Sequence, residues 1–354
     1  MMASQKPSQG LPLPSINAVH RNDNYLPLIT TIYISISFSS VFINKYLTTA
    51  SEYKFPYSSV TVFLQLIITV GFLQIWRQCQ KRYLPSWLRL SKMTSTGWRQ
   101  VLPCTVIYVM MMLLDPFFRT RVNATMYTAV QAWCILFALA WTMKFGHKST
   151  GQQLRRRRGQ AQWAMERTAW GYCLVQFIGI WFASEVTSES SWFSFSLTSS
   201  WVGLCYAALM VTYAVTIQNA LVGLRHDVTL LLQWHLTLTT ALTTLIVLVS
   251  GELMDAYRTV LFWDELGFWI QMIIGSLLAM VIHIFMILLI KYSSPLSYTV
   301  AATTKTCLQA IIAFLLFGNL MTGSQFLFLS VSLIGAICYA KKSTSKTIDS
   351  IYSM

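Results

Sequence analysis

Ten stretches of this chain are apolar enough to lie across a bilayer, and that constrains its fold more than any other feature. They run about Tyr25–Leu47, Val60–Trp76, Trp98–Leu114, Ala124–Met143, Ala164–Ala183, Ser199–Leu221, Thr229–Ser250, Gly267–Ile290, Ser297–Phe317 and Gly323–Ala340. About 20 helical residues cross the roughly 30 Å of hydrocarbon, so the second, third and tenth look short. Charged residues make up 11% of the chain and hydrophobic ones 55%. A soluble domain carries about 25% charged residues. The expected fold is therefore all-α: one polytopic membrane domain of ten transmembrane helices over 25–340, not a pair of soluble domains.

The net charge of +14 suggests nucleic acid in a soluble protein. Here the basic residues sit in short loops between apolar runs, so nucleic acid is not expected as a partner and the charge reads as a topology signal. With the N-terminus cytosolic, twenty of the 26 Lys and Arg fall on the cytosolic side. Five (Lys45, Lys54, Arg119, Arg121, Arg258) fall opposite, and Lys305 lies within a span. Both termini come out cytosolic. The polar stretch 1–24 lacks an apolar core and reads as a flexible tail, not a cleavable signal. Residues 341–354 form a second tail. A basic loop of about 144–163 carries Arg155–Arg158, which suit anionic lipid. Asn123-Ala124-Thr125 is a formal glycosylation sequon that abuts a span and is expected to be unused.

Ten spans divide into halves of five, about 25–183 and 199–340. An odd number per half turns the second half over relative to the first, the arrangement of inverted-repeat transporters with a midplane site. Segments four and nine are then equivalent. The fourth carries Tyr127 and Gln131, the ninth Tyr298, Lys305 and Gln309.

Lys305 is the residue that demands an explanation. A lysine at mid-membrane costs roughly 2.5–3.5 kcal/mol on insertion scales. Its ammonium suits a phosphate oxygen or a carboxylate; Gln309, one turn on, shares its face. The competing reading is a structural tie to a buried carboxylate, yet no Asp or Glu occupies the interior of any segment. Gln233, Trp234 and His235 form a polar-aromatic patch suited either to stacking on a nucleobase or to an interfacial helix contact. His283 reads as a helix-helix hydrogen bond or a proton site. Asn44 and Lys45 close the first segment, as cap and snorkel or as the mouth of a site. Seven cysteines show no ligand spacing and read as small core residues. No Walker loop, HExxH or paired carboxylates are present, so no enzyme, metal or cofactor is expected.

Three stretches carry a resemblance: VFINKYL at Val41–Leu47, SGEL at Ser250–Leu253, and IKYSSPLSYTVAATTKTCLQAIIAFLLF at Ile290–Phe317. They are similar to the Golgi nucleotide-sugar transporters of the drug/metabolite transporter superfamily, nearest the GDP-fucose branch. In the third stretch Lys291, Ser293-Ser294-Pro295-Leu296-Ser297, Lys305 and Gln309 match the family pattern. The resemblance departs elsewhere. Gln233-Trp234-His235-Leu236 stands where the branch has an F-Y-N-N motif, Gln131 where helix four carries an Arg, and Leu113-Leu114-Asp115 near a missing pair of Asn. What the resemblance implies is a Golgi or ER membrane carrier that exchanges a nucleotide sugar for a nucleoside monophosphate. Lys305 would hold the phosphates, Gln309 and Tyr298 would orient them, and Trp234 and His235 would face the base. A homodimer is left open. A sugar-phosphate or other organic-anion carrier of the same fold, or a non-transporting membrane scaffold, is the alternative.

Overall fold

Within lipid every backbone N–H and C=O must find a partner inside its own segment, which leaves the helix as the local solution for long apolar runs. The computed structural model describes residues 26–45, 55, 57–83, 90–91, 93, 97–121, 124–145, 159–185, 197–317 and 322–352, with no strand among them. The helices are α1 (Leu26–Lys45), α2 (Ser58–Tyr83), α3 (Gly97–Arg121), α4 (Ala124–Phe145), α5 (Gly159–Glu185), α6 (Leu197–Gly223), α7 (Val228–Ser250), the short α8 (Glu252–Thr259), α9 (Leu266–Tyr292), α10 (Pro295–Phe317) and α11 (Gly323–Tyr352). Each of the ten apolar segments thus falls on one long helix. The N-terminal stretch 1–24, Arg155–Arg158 and Asn123 lie outside the described residues.

The three segments that looked short lie on helices of 26, 25 and 30 residues. Their ends are polar, as at Arg77–Tyr83 and beyond Ala340. Hydropathy marks where a helix meets hydrocarbon; backbone hydrogen bonding carries it further. Among the described residues six helices, α2, α3, α6, α7, α9 and α11, are long and apolar enough to cross a membrane by length and composition. Shorter apolar runs occupy α1, α4 and α5. Large apolar side chains such as Leu245, Leu248, Val249 and Ile337 lie exposed; apolar residues on outer as well as inner faces mark helices that face lipid.

Local chemistry sets the helix ends that matter. Asp227 caps α7, accepting from the N–H groups of Thr229 and Leu230. Gly251 ends it at φ 74°, a left-handed position that favours glycine. Ser294 precedes Pro295 at the first position of α10, and its Oγ accepts from Ser297 N–H at 3.1 Å. Threonines inside α7 and α10 return their hydroxyls to the carbonyl one turn back, as Thr240, Thr243, Thr299 and Thr304 do. These four thereby add no unpaired donor to an apolar interior, whereas the buried Thr239 hydroxyl of α7 has no hydrogen-bond partner among the described residues.

The packing pattern repeats. Set α1–α5 against α6, α7, α9, α10 and α11 in order. The contact α1·α9 then has its counterpart in α6·α3, α2·α9 in α7·α3, α1·α10 in α6·α4, and α4·α5 in α10·α11; α2·α7, α4·α10 and α5·α11 pair equivalent helices. Two buried cores result. One gathers α1, α2, α3, α6, α7 and α9 around Tyr33, Tyr213 and Leu231. The other gathers α4, α5, α6, α10 and α11 around Ile135, Cys173 and Val300. A third, smaller aromatic core ties Phe55, Phe63, α8 and the start of α9. Four of the cysteines (Cys104, Cys134, Cys173, Cys307) are buried in the packing, while Cys79 and Cys205 are exposed.

Candidate functional site

Lys305 sits about 15 Å along α10 from Pro295, at 1.5 Å per residue, and its side chain is half-buried. Helical register at roughly 100° per residue puts Tyr298, Ala301, Lys305 and Gln309 on one face. That face meets the first core. Ala301 belongs to it, and the Tyr298 ring lies 5.8 Å from that of Tyr33 on α1. Lys305 therefore stands on the face of α10 turned to the first core. Gln309 Nε2 is buried and has no hydrogen-bond partner among the described residues.

Gln131 on α4 is buried and shares a cavity of about 10 Å³ with Cys134, Met210, Tyr298, Thr299 and Thr303. Helices α4 and α10 pack together, and Gln131 and Tyr298 both line that cavity. Tyr127, Asn44 and Lys45 lie on α4 and α1, but their side chains are outside those described.

The patch on α7 divides in two directions. Gln233 Nε2 donates to the Ser91 carbonyl at 3.3 Å. There Ser91 also bonds the carboxylate of Asp227, and its N–H donates to Thr229 Oγ1 at 3.1 Å. Partial burial raises the Asp227 pKa, but hydrogen bonds from the Ser91 hydroxyl, the Leu230 and Thr229 N–H groups and the Thr229 side chain outweigh it and hold the carboxyl below its ordinary value. His235 turns inward, fully buried. Its Nε2 lies 3.1 Å from Tyr213 Oη and its Nδ1 3.2 Å from Thr105 Oγ1. Tyr108 packs edge-on against both His235 and His283, and the two imidazoles are 5.9 Å apart. His283 Nδ1 contacts the Ala279 carbonyl of its own helix at 2.8 Å, not a neighbouring helix. Trp234 packs on the same core, and its buried Nε1 has no partner among the described residues.

Six helices thus contribute to one polar-aromatic centre in the first core: Tyr33 from α1, Thr105 and Tyr108 from α3, Tyr213 from α6, Trp234 and His235 from α7, His283 from α9 and Tyr298 from α10. The centre offers aromatic rings and a buried donor at Trp234 Nε1, a surround that suits a flat ring system; Lys305 and the buried Gln309 amide lie further along the Tyr298 face of α10. Sequence reading passed over Tyr33, Thr105, Tyr108 and Tyr213, because an aromatic or threonine in an apolar run looks like filler. A larger groove of about 310 Å³ lies between α1 and α11 over α10, lined by Thr30, Ile34, Ser297, Thr304 and Tyr339.

No family model matches the chain. Curated relatives do. GDP-fucose transporter 1 of Dictyostelium discoideum is 25% identical over 292 residues, covering 82% of this chain and 73% of that protein. GDP-fucose transporter 1 of Mus musculus is 23% identical, covering 82% and 75%. The Golgi GDP-fucose transporter of Drosophila melanogaster is 20% identical, covering 80% of each. A solved crystal structure superposes with a TM-score of 0.58 over 90% of this chain and 98% of the other at 12% identity, which shows a shared fold. The apolar helices and their packing define a polytopic helical membrane protein. The relatives show that it is similar, at 20–25% identity over about four-fifths of its length, to GDP-fucose transporters.

Proposed function

We propose that this protein is a nucleotide-sugar transporter of GDP-fucose type, carrying nucleotide sugar into the Golgi or ER lumen in exchange for nucleoside monophosphate. The observation that carries the reading is the match to GDP-fucose transporters across four-fifths of the chain. All ten long helices span the membrane, the five-helix halves are inverted, and both termini face the cytosol; the reciprocal contacts and the bias in Lys and Arg support this. It is a carrier and not an enzyme.

In this reading Lys305 holds the phosphates, with Gln309 and Tyr298 orienting them. Trp234 and His235 face the base, Gln131 and Tyr127 close the opposite wall, and Asn44 and Lys45 stand at the mouth. Alternating access rocks the helix bodies about this site. A Lys305→Ala variant that exchanges at the parental rate would remove Lys305 from it.

The test is thermal stability of the purified protein against nucleoside monophosphates and nucleotide sugars. A ligand bound only by the folded state stabilises by about 2.7 kcal/mol at 100 times Kd. A shift confined to guanine nucleotides and lost in Lys305→Ala supports the reading. A shift with another base moves the specificity, and no shift with any nucleotide turns the assignment to a sugar-phosphate carrier or a scaffold.

A further inference from the structure

We infer that Gln176, a fully buried residue of α5, is a positioning residue for Lys305. It grips the back of α10 one turn before the lysine. Its Nε2 lies 2.8 Å from Thr303 Oγ1, 3.2 Å from Thr304 Oγ1 and 3.3 Å from the Val300 carbonyl. The direction of these bonds is settled by their neighbours. Thr303 Oγ1 already donates to the Thr299 and Val300 carbonyls, and Thr304 Oγ1 to Val300. Both hydroxyls are therefore left to accept, and the Gln176 amide donates.

The geometry opposes grip and charge. At roughly 100° per residue, Val300, Thr303 and Thr304 occupy the side of α10 away from Tyr298, Lys305 and Gln309. Gln176 has a rigid base from which to hold that side. A Cβ added at Gly335 of α11 would come within 2.9 Å of the Gln176 backbone nitrogen, so the two backbones are in direct contact there. Two further ties bind the same side of the bundle: Ser297 Oγ to Tyr339 Oη at 3.0 Å, and Cys307 Sγ to Ser332 Oγ at 3.4 Å. They bracket the Gln176 grip above and below. A binding group must be held within about 0.5 Å and 10–20° to be effective. A hydrocarbon surround offers no directional contact that would set the rotation of α10, whereas the Gln176 amide does.

The placement of Lys305 by Gln176 stands on these contacts alone; its consequence for ligand binding rests on the function proposed above. Two readouts separate them. In a Lys305→Cys background, adding Gln176→Leu should raise the rate of maleimide modification at 305, read by peptide mass spectrometry, by about fivefold or more, the loosening expected when one buried tie is lost. Thr69→Val, which removes a buried bond to the Ser276 carbonyl in the other core, should leave that rate alone. In the parental background Gln176→Leu should weaken the GMP-dependent thermal shift about tenfold, and the loss should vanish when Lys305 is already Ala. If Gln176→Leu fails to fold, Thr303→Val removes one acceptor and should move both readouts the same way by less. Unchanged labelling in both variants overturns the proposal, as does lowered stability with unchanged GMP affinity. If GMP does not shift the parent at all, the transport assignment fails and the labelling rate still decides the role of Gln176.

Discussion

Between α5 and α11 the backbones meet at two glycines, whereas among α3, α6, α7 and α9 the contact is made by rings. A Cβ at Gly179 would lie 2.7 Å from the Phe328 carbonyl and the Ser332 nitrogen, and one at Gly335 3.0 Å from the Tyr172 carbonyl. The ring cluster instead joins His235, Tyr213, Tyr108 and His283 at centroid distances of 5.2–5.9 Å. Without a hydrophobic drive between helices in lipid, close backbone approach and interhelical hydrogen bonds do the work of association. The α5–α11 seam uses the first and has no freedom to admit a larger side chain. The ring cluster uses the second, so it depends on direction and on a few polar atoms. The difference teaches where a helical bundle of this build is rigid and where it depends on a few directed polar contacts.

The seam should break hardest. Gly179→Leu should abolish recovery of folded protein, and Gly179→Ala should cost about 1–3 kcal/mol in a thermal or denaturant melt. Gly71→Ala on the open face of α2, where an added Cβ meets nothing within 4 Å, should be neutral or stabilising by up to about 1 kcal/mol. Equal destabilisation at both positions would erase the distinction between seam and outer face.

In the ring cluster His235→Ala should cost about 2–4 kcal/mol, because it opens a cavity and leaves Tyr213 and Thr105 without their shared partner. Tyr213→Phe, which removes only the hydroxyl, should cost about 1 kcal/mol. A His235→Ala protein that melts with the parent would mean the cluster is loose and its bonds carry little.

On the Tyr298 face of α10, Lys305→Ala should separate binding from folding. Affinity for a nucleotide should fall by roughly 10- to 100-fold, the worth of a bond to a charged group. The ligand-free melting point should hold or rise, since a costly mid-membrane charge is gone. A fall in both would recast Lys305 as a structural tie.

The smallest effect lies at the α7 cap. Asp227→Ala should cost about 1 kcal/mol. Because the Asp227 carboxyl titrates below its ordinary value in the folded state, its contribution is present above the ordinary carboxylate range and is lost as pH falls through the folded value. An Asp227→Asn protein should therefore show a flatter acid limb in a stability–pH series; an unchanged limb would remove Asp227 from the account.

Much of this was legible in the chain. The ten apolar runs marked the ten long helices, and Ser294-Pro295 and Gly251 marked ends the structure keeps. Lys305 declared itself, because its charge is anomalous in its own segment. The α7 patch was legible as a patch but not in its direction: adjacent Gln233 and His235 part to Ser91 and to Tyr213. The second, third and last helices were read short because Arg77 and Lys81, Asp115 and Arg119, and Lys341 look like loop residues to a hydropathy window.

By itself the sequence determined which segments are helices and which residue is out of place, since backbone pairing and transfer from water depend on each segment's own composition. Only the tertiary structure decided that α5 meets α11 backbone to backbone, that Gln176 takes hold of Thr303 and Thr304, and that His235 bonds Tyr213 and Thr105. In a chain apolar on every face, no periodicity marks the buried side. Partners are then chosen by shape and by single polar atoms far apart in sequence, which act only once the helices are side by side.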